Sequence, residues 1–139
     1  MKKIKVYLDM DGTIADLYAQ PNWLERLHAE DHTVFLNARA VITEEQLLKE
    51  YPLDKYDIRI LSMTPLGATD DYCNLVKYAK NKWLDEHFPS LTNRIYMKYG
   101  HNKNLAYNQN AILIDDSEPV RKTWRGLAIM PTWGAALSV

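Results

Sequence analysis

A short β-branched and apolar run, Ile4-Lys5-Val6-Tyr7-Leu8, ends abruptly in two aspartates one residue apart and a glycine: Asp9-Met10-Asp11-Gly12-Thr13. The run reads as a strand, and a strand alternates its side chains. Asp9 and Asp11 therefore leave its end on one side, converging where a metal or a phosphate can sit. Two like charges held together need compensation. Gly12 allows a tight turn and lets a ligand oxygen approach the backbone closely. A lone D-x-D reads as a surface Asx turn; the full string, placed directly after an apolar strand, points instead to anion chemistry at a sheet edge.

The rest of the chain alternates short apolar strands with helices. Ile58-Arg59-Ile60-Leu61-Ser62 reads as a second strand, broken by Pro65 and Gly67. A long helix follows, capped by Thr69 or Asp70, with Tyr72, Leu75, Val76, Ala79, Trp83 and Leu84 at helical spacing up to Phe88-Pro89. Arg94–Met97, Ala111–Ile114 and Leu127–Met130 read as three further strands. Between the first two strands, residues 15–57 read as a helical insertion. Pro21 opens one helix with Trp23, Leu24 and Leu27 on a face, and Thr43-Glu44-Glu45-Gln46 forms a capping box before Leu47 and Leu48, ended by Pro52. The pattern predicts an α/β fold, a parallel sheet with helices on both faces in three layers.

A chain of 139 residues is the size of one domain, so residues 1–139 are read as a single unit with the insertion as a trimming. Seventeen basic and eighteen acidic residues leave a formal charge of −1, which implies no extended nucleic-acid or anionic-lipid surface. The single cysteine, Cys73, fits a reducing compartment and reads as a small buried side chain. No signal-peptide pattern and no apolar stretch of membrane-spanning length is present, so the expectation is a soluble, cytoplasmic protein without a membrane partner. The oligomeric state leaves no mark in the sequence.

Leu8-Asp9-Met10-Asp11-Gly12-Thr13 resembles motif I of the haloacid dehalogenase-like hydrolase superfamily, D-x-D-x-T after a hydrophobic strand. The resemblance implies that Asp9 is the nucleophile taking the phosphoryl group. It makes Asp11 the general acid and base, whose backbone carbonyl also helps bind magnesium. Ile112-Leu113-Ile114-Asp115-Asp116 resembles the acidic motif IV, with Asp116 as the direct magnesium ligand and Asp115 as its close partner, the two being interchangeable on sequence alone. As a structural alternative, an aspartate before Ser117-Glu118-Pro119 caps a helix. Ser62 matches the motif II hydroxyl that hydrogen-bonds the phosphoryl group, with Thr64 as a competing choice. The motif III lysine falls on Lys103, in His101-Asn102-Lys103-Asn104, or on Lys98. Together with right-handed crossovers, the resemblance implies a Rossmann-like strand order 5-4-1-2-3, strands being counted along the chain. Ligands of such sheets bind beyond the carboxyl ends of the central strands.

Several carboxylates without a matching His or Cys cluster favour Mg²⁺ over zinc. His28, His32, His87 and His101 have no ligand spacing and are assigned no role. Tyr18, Trp23 and Trp124 are of a kind that stacks on a base, although aromatics at helical spacing more often form core. Ala15-Asp16, the Asp115-Asp116 strand and Trp124 look like the 5'(3')-deoxyribonucleotidase branch, with a reduced cap over residues 15–57. The expected function is magnesium-dependent hydrolysis of a small phosphate monoester, a nucleoside monophosphate in the leading reading, through an aspartyl-phosphate. Sugar phosphates and phosphorylated nucleic-acid ends are alternative substrates. A phospho-accepting receiver-like module or an inactive phosphate-binding module is the alternative class.

Overall fold

The computed structural model describes residues 2–99, 103–106 and 110–133. Strand β1 (Ile4–Leu8) leads through a tight turn to the two-residue strand β2 (Ala15–Asp16). The insertion continues through helices α1 (Trp23–His28) and α2 (Thr33–Leu36), strand β3 (Arg39–Ala40) and helix α3 (Glu44–Glu50). Then come β4 (Tyr56–Thr64), the long helix α4 (Asp70–His87), β5 (Arg94–Lys98), a 3-10 turn (Lys103–Ala106), β6 (Ile112–Ile114), α5 (Glu118–Thr123) and β7 (Leu127–Ile129).

Five strands form one sheet in the order β5-β4-β1-β6-β7, and each neighbouring pair is parallel. This is the α/β architecture that alternating short strands and helices predict. β1 lies in the middle, with Leu8 paired to Ile60 of β4 on one side and to Ile114 of β6 on the other. The side-chain period of two splits the core between the faces. Val6 and Leu8 join Ile58, Ile60 and Ile114 beneath Trp83, Leu84 and Phe88 from the end of α4. Tyr7, Leu61 and Leu113 point the other way, against Trp124 and Val120 at α5. Trp124 is thus core: its ring meets Tyr7 edge-on at 5.5 Å and its indole N–H donates to the Ala111 carbonyl.

Local chemistry explains most boundaries. Thr43 and Gln46 form a reciprocal capping box at α3, and the Thr69 hydroxyl, rather than Asp70, caps α4 by accepting from Tyr72 N–H. Pro21 does not open α1: Asn22, left-handed at φ 58°, stands between Pro21 and the first helical residue. The insertion is also less purely helical than its sequence suggests, because β2 and β3 pair antiparallel across two residues. Leu17, Val34 and Phe35 from this region pack on Tyr72, Val76 and Ala79 of α4 and so fasten the insertion beside the sheet's carboxyl end. Cys73 is buried in α4. Among the described residues, no helix is long and apolar enough to cross a membrane.

Candidate active site

Register alone brings the two acidic strand ends together. Leu8 pairs with Ile114, so the next residues, Asp9 and Asp115, emerge side by side, and Asp9 N–H donates to the Ile114 carbonyl at 2.9 Å. Asp116 follows. Carboxylate oxygens of Asp9, Asp115 and Asp116 lie within 4.8 Å of one another. Lys103, buried in the 3-10 turn, donates to Asp9 Oδ1 at 2.9 Å and to Asp115 Oδ2 at 2.7 Å. Thr13, fully buried, donates its hydroxyl towards Asp9 Oδ2 at 3.0 Å and Asp116 Oδ1 at 3.2 Å, and accepts from Asp116 N–H.

The turn that makes this possible is held from both sides. Met10 carbonyl accepts from the N–H groups of Thr13, Ile14 and Ala15, and the Trp133 indole donates to the Thr13 carbonyl at 2.8 Å. Gly12 takes φ 84°, and a Cβ there would stand 2.8 Å from Asp116 Cγ and 2.9 Å from Tyr18 Cε2. Only glycine fits.

Charge follows this geometry. Burial works to raise the Asp9 carboxyl, but Lys103 and hydrogen bonds from Asp116, Lys103 and Thr13 outweigh it and hold Asp9 below its ordinary value. Asp116 moves oppositely: burial first, then its hydrogen bond to Asp9 and the charges of Asp9 and Asp115, push it up to about 8. Burial and the Asp9 charge also raise Asp115, against the pull of Lys103. Burial would lower Lys103, yet Asp9 and Asp115 raise it well above the usual lysine range. With Asp116 protonated, Asp9 and Asp115 around the Lys103 ammonium leave a surplus of one negative charge, which becomes two once a cation displaces the Asp116 proton. A hard divalent cation with oxygen ligands matches that donor set, and Asp9, Asp115 and Asp116 are the residues that would hold it.

Asp11 turns elsewhere. Its Oδ2 accepts from Lys80 Nζ at 2.9 Å, and Lys80, with no exposed surface, also donates to Ser62 Oγ at 2.7 Å and to the Met63 carbonyl at 2.8 Å. Lys80 belongs to none of the motifs, although the helical pattern marks it: it lies four residues after Val76 and four before Leu84, on the apolar stripe of α4. Thr13 lies inside the motif, whose spacing marks no separate role for it. Ser62 and Thr64 both line the cavity; Ser62 is tied to Lys80, while the Thr64 hydroxyl turns to the Met97 carbonyl at 3.4 Å. Lys98 is exposed at the end of β5, whereas Lys103 reaches the aspartates. His101 and Asn102 lie outside the described residues.

Above the aspartates opens a cleft of about 660 Å³, walled on the insertion side by Leu17, Tyr18, Trp23, Leu24, Leu27 and His28 and lined further by Phe35, Leu66 and Tyr99. The Tyr18 and Trp23 rings meet edge-on at 4.8 Å. Burial and the charges of Asp11, Asp116, Asp9 and Asp115 raise the Tyr18 phenol well above its ordinary range, so it faces the acidic floor as a neutral hydroxyl. No protein-family model matches the chain, and no curated protein matches it.

Proposed function

We propose that the protein hydrolyses phosphate monoesters with magnesium, as a haloacid dehalogenase-like phosphatase of Rossmann-like topology whose insertion serves as a small cap. The observation that carries the reading is Lys103 bridging Asp9 and Asp115 at the ends of two adjacent parallel strands. An ionised, oriented carboxylate at the floor of a cavity is what nucleophilic catalysis requires. The bound cation would neutralise phosphoryl oxygens and let an anionic nucleophile approach an anionic ester.

In this mechanism an Asp9 oxygen forms a bond to phosphorus as the ester P–O bond breaks, and the departing alkoxide takes a proton from Asp11. Water then attacks the phosphorus of the aspartyl-phosphate. Its proton passes to Asp11, the Asp9–phosphorus bond breaks, and inorganic phosphate leaves. Ser62 donates to a phosphoryl oxygen, and the backbone at Gly12 allows that group to come close.

A nucleoside monophosphate is the favoured substrate. A cavity of about 660 Å³ lies within the range of small-molecule sites, and its charged floor and aromatic wall suit a phosphate and a base. That volume also favours an enzyme over a receiver module, which needs room for the phosphoryl group only. The test is release of inorganic phosphate from a panel of nucleoside monophosphates and small phosphate esters. Magnesium-dependent release that Asp9→Asn abolishes is expected. No release from any ester, or full activity in Asp9→Asn, would exclude the reading.

A further inference from the structure

We propose that Lys80 is a positioning residue that aims the proton-transferring carboxylate of Asp11 and the hydroxyl of Ser62 into the cavity, an inference that rests on the phosphatase reading above. The ammonium is wholly buried and spends three donors on three acceptors, Asp11 Oδ2, Ser62 Oγ and the Met63 carbonyl. All three belong to segments that line the cavity. Phe35 of the insertion lies under the ammonium, its ring centroid 5.0 Å away, so the base of the cap closes over the same group.

The consequence lies in what each partner has left. A hydroxyl has one proton. Since Ser62 Oγ accepts from Lys80, that proton is free to go to a ligand oxygen. Asp11 binds Lys80 through Oδ2 and has no other hydrogen-bond partner for Oδ1 among the described residues, which leaves that oxygen for the substrate. A buried cation is costly compared with an apolar side chain of similar volume, and packing of α4 on the sheet does not require one. Fixing two reactive groups at once does.

The test compares kcat/KM for a nucleoside 5'-monophosphate, whose alkoxide needs a proton to leave, and for 4-nitrophenyl phosphate, whose phenolate does not. Lys80→Met and Lys80→Gln are measured after circular dichroism has established folding, each alone and combined with Asp11→Asn. Loss on the nucleotide that exceeds loss on the nitrophenyl ester by roughly a hundredfold is expected. That difference should vanish in the Asp11→Asn background. Equal losses on both esters, unchanged rates, or failure of both variants to fold would overturn the proposal and leave the phosphatase reading standing. A wild-type protein inactive on both esters would remove that reading, and this inference with it.

Discussion

Lys103 follows Asp9 by 94 positions, yet its Nζ stands 2.9 Å from Asp9 Oδ1, buried and shared with Asp115. Parallel pairing of β1 and β6 supplies the neighbouring carboxylates, and the 3-10 turn before β6 returns the cation between them.

Breaking that bridge should be costly in two ways. Lys103→Met leaves Asp9 and Asp115 buried without their counter-charge, and removing one partner of a buried ion pair destabilises by about 3–5 kcal/mol. Chemical denaturation in the absence of divalent cations should read that loss. Phosphate release should fall by roughly 10²-fold or more, through loss of the charge that orients the nucleophile.

Gly12→Ala tests the turn. Alanine at φ 84° bears the left-handed penalty of roughly 1–2 kcal/mol, and its Cβ collides with the Asp116 carboxylate. Stability should drop by at least that amount, and magnesium affinity, measured by calorimetry, should fall with it.

Cation binding should release a proton. Asp116 is pushed up to about 8, so near neutral pH it holds a proton that a divalent ion must displace. Magnesium affinity should therefore rise with pH up to about 8 and then level. Calorimetry in buffers of different ionisation enthalpy should find close to one proton released per ion near pH 6.5 and almost none well above pH 8. Without the cation the linkage runs the other way: the folded state binds Asp116's proton more tightly than the unfolded chain, so stability falls as pH rises from about 4 to about 8, and Asp116→Asn should flatten that slope.

Local patterns in the sequence carried the strands, α4 and the capping box at Thr43, because each is decided by residues a few positions apart. Asp9, Asp115 and Asp116 stood out for a related reason: each acidic group alone reads as an Asx turn or a helix cap, but two of them ending apolar strands meet when those strands pair. Lys80 was not. A lysine reads as solvated until its partners are known, and Asp11 and Ser62 come from two other segments 69 and 18 residues away. The β2–β3 pairing is too short for any alternation to show, and the left-handed turn at Asn22 displaced a helix start that Pro21 suggested. Tyr18 and Trp124 share an aromatic chemistry, and only packing separates one at the cavity from the other in the core.

The proposed mechanism puts phosphorus on Asp9. Rapidly quenching the protein during turnover, reducing it with borohydride and mapping its peptides by mass spectrometry reads that bond directly, because an aspartyl-phosphate is reduced to homoserine. Reduction at position 9, absent without substrate and absent in Asp9→Asn, is the predicted result. Sustained phosphate release with no reduction at position 9, or with reduction at Asp115 or Asp116 instead, would contradict it.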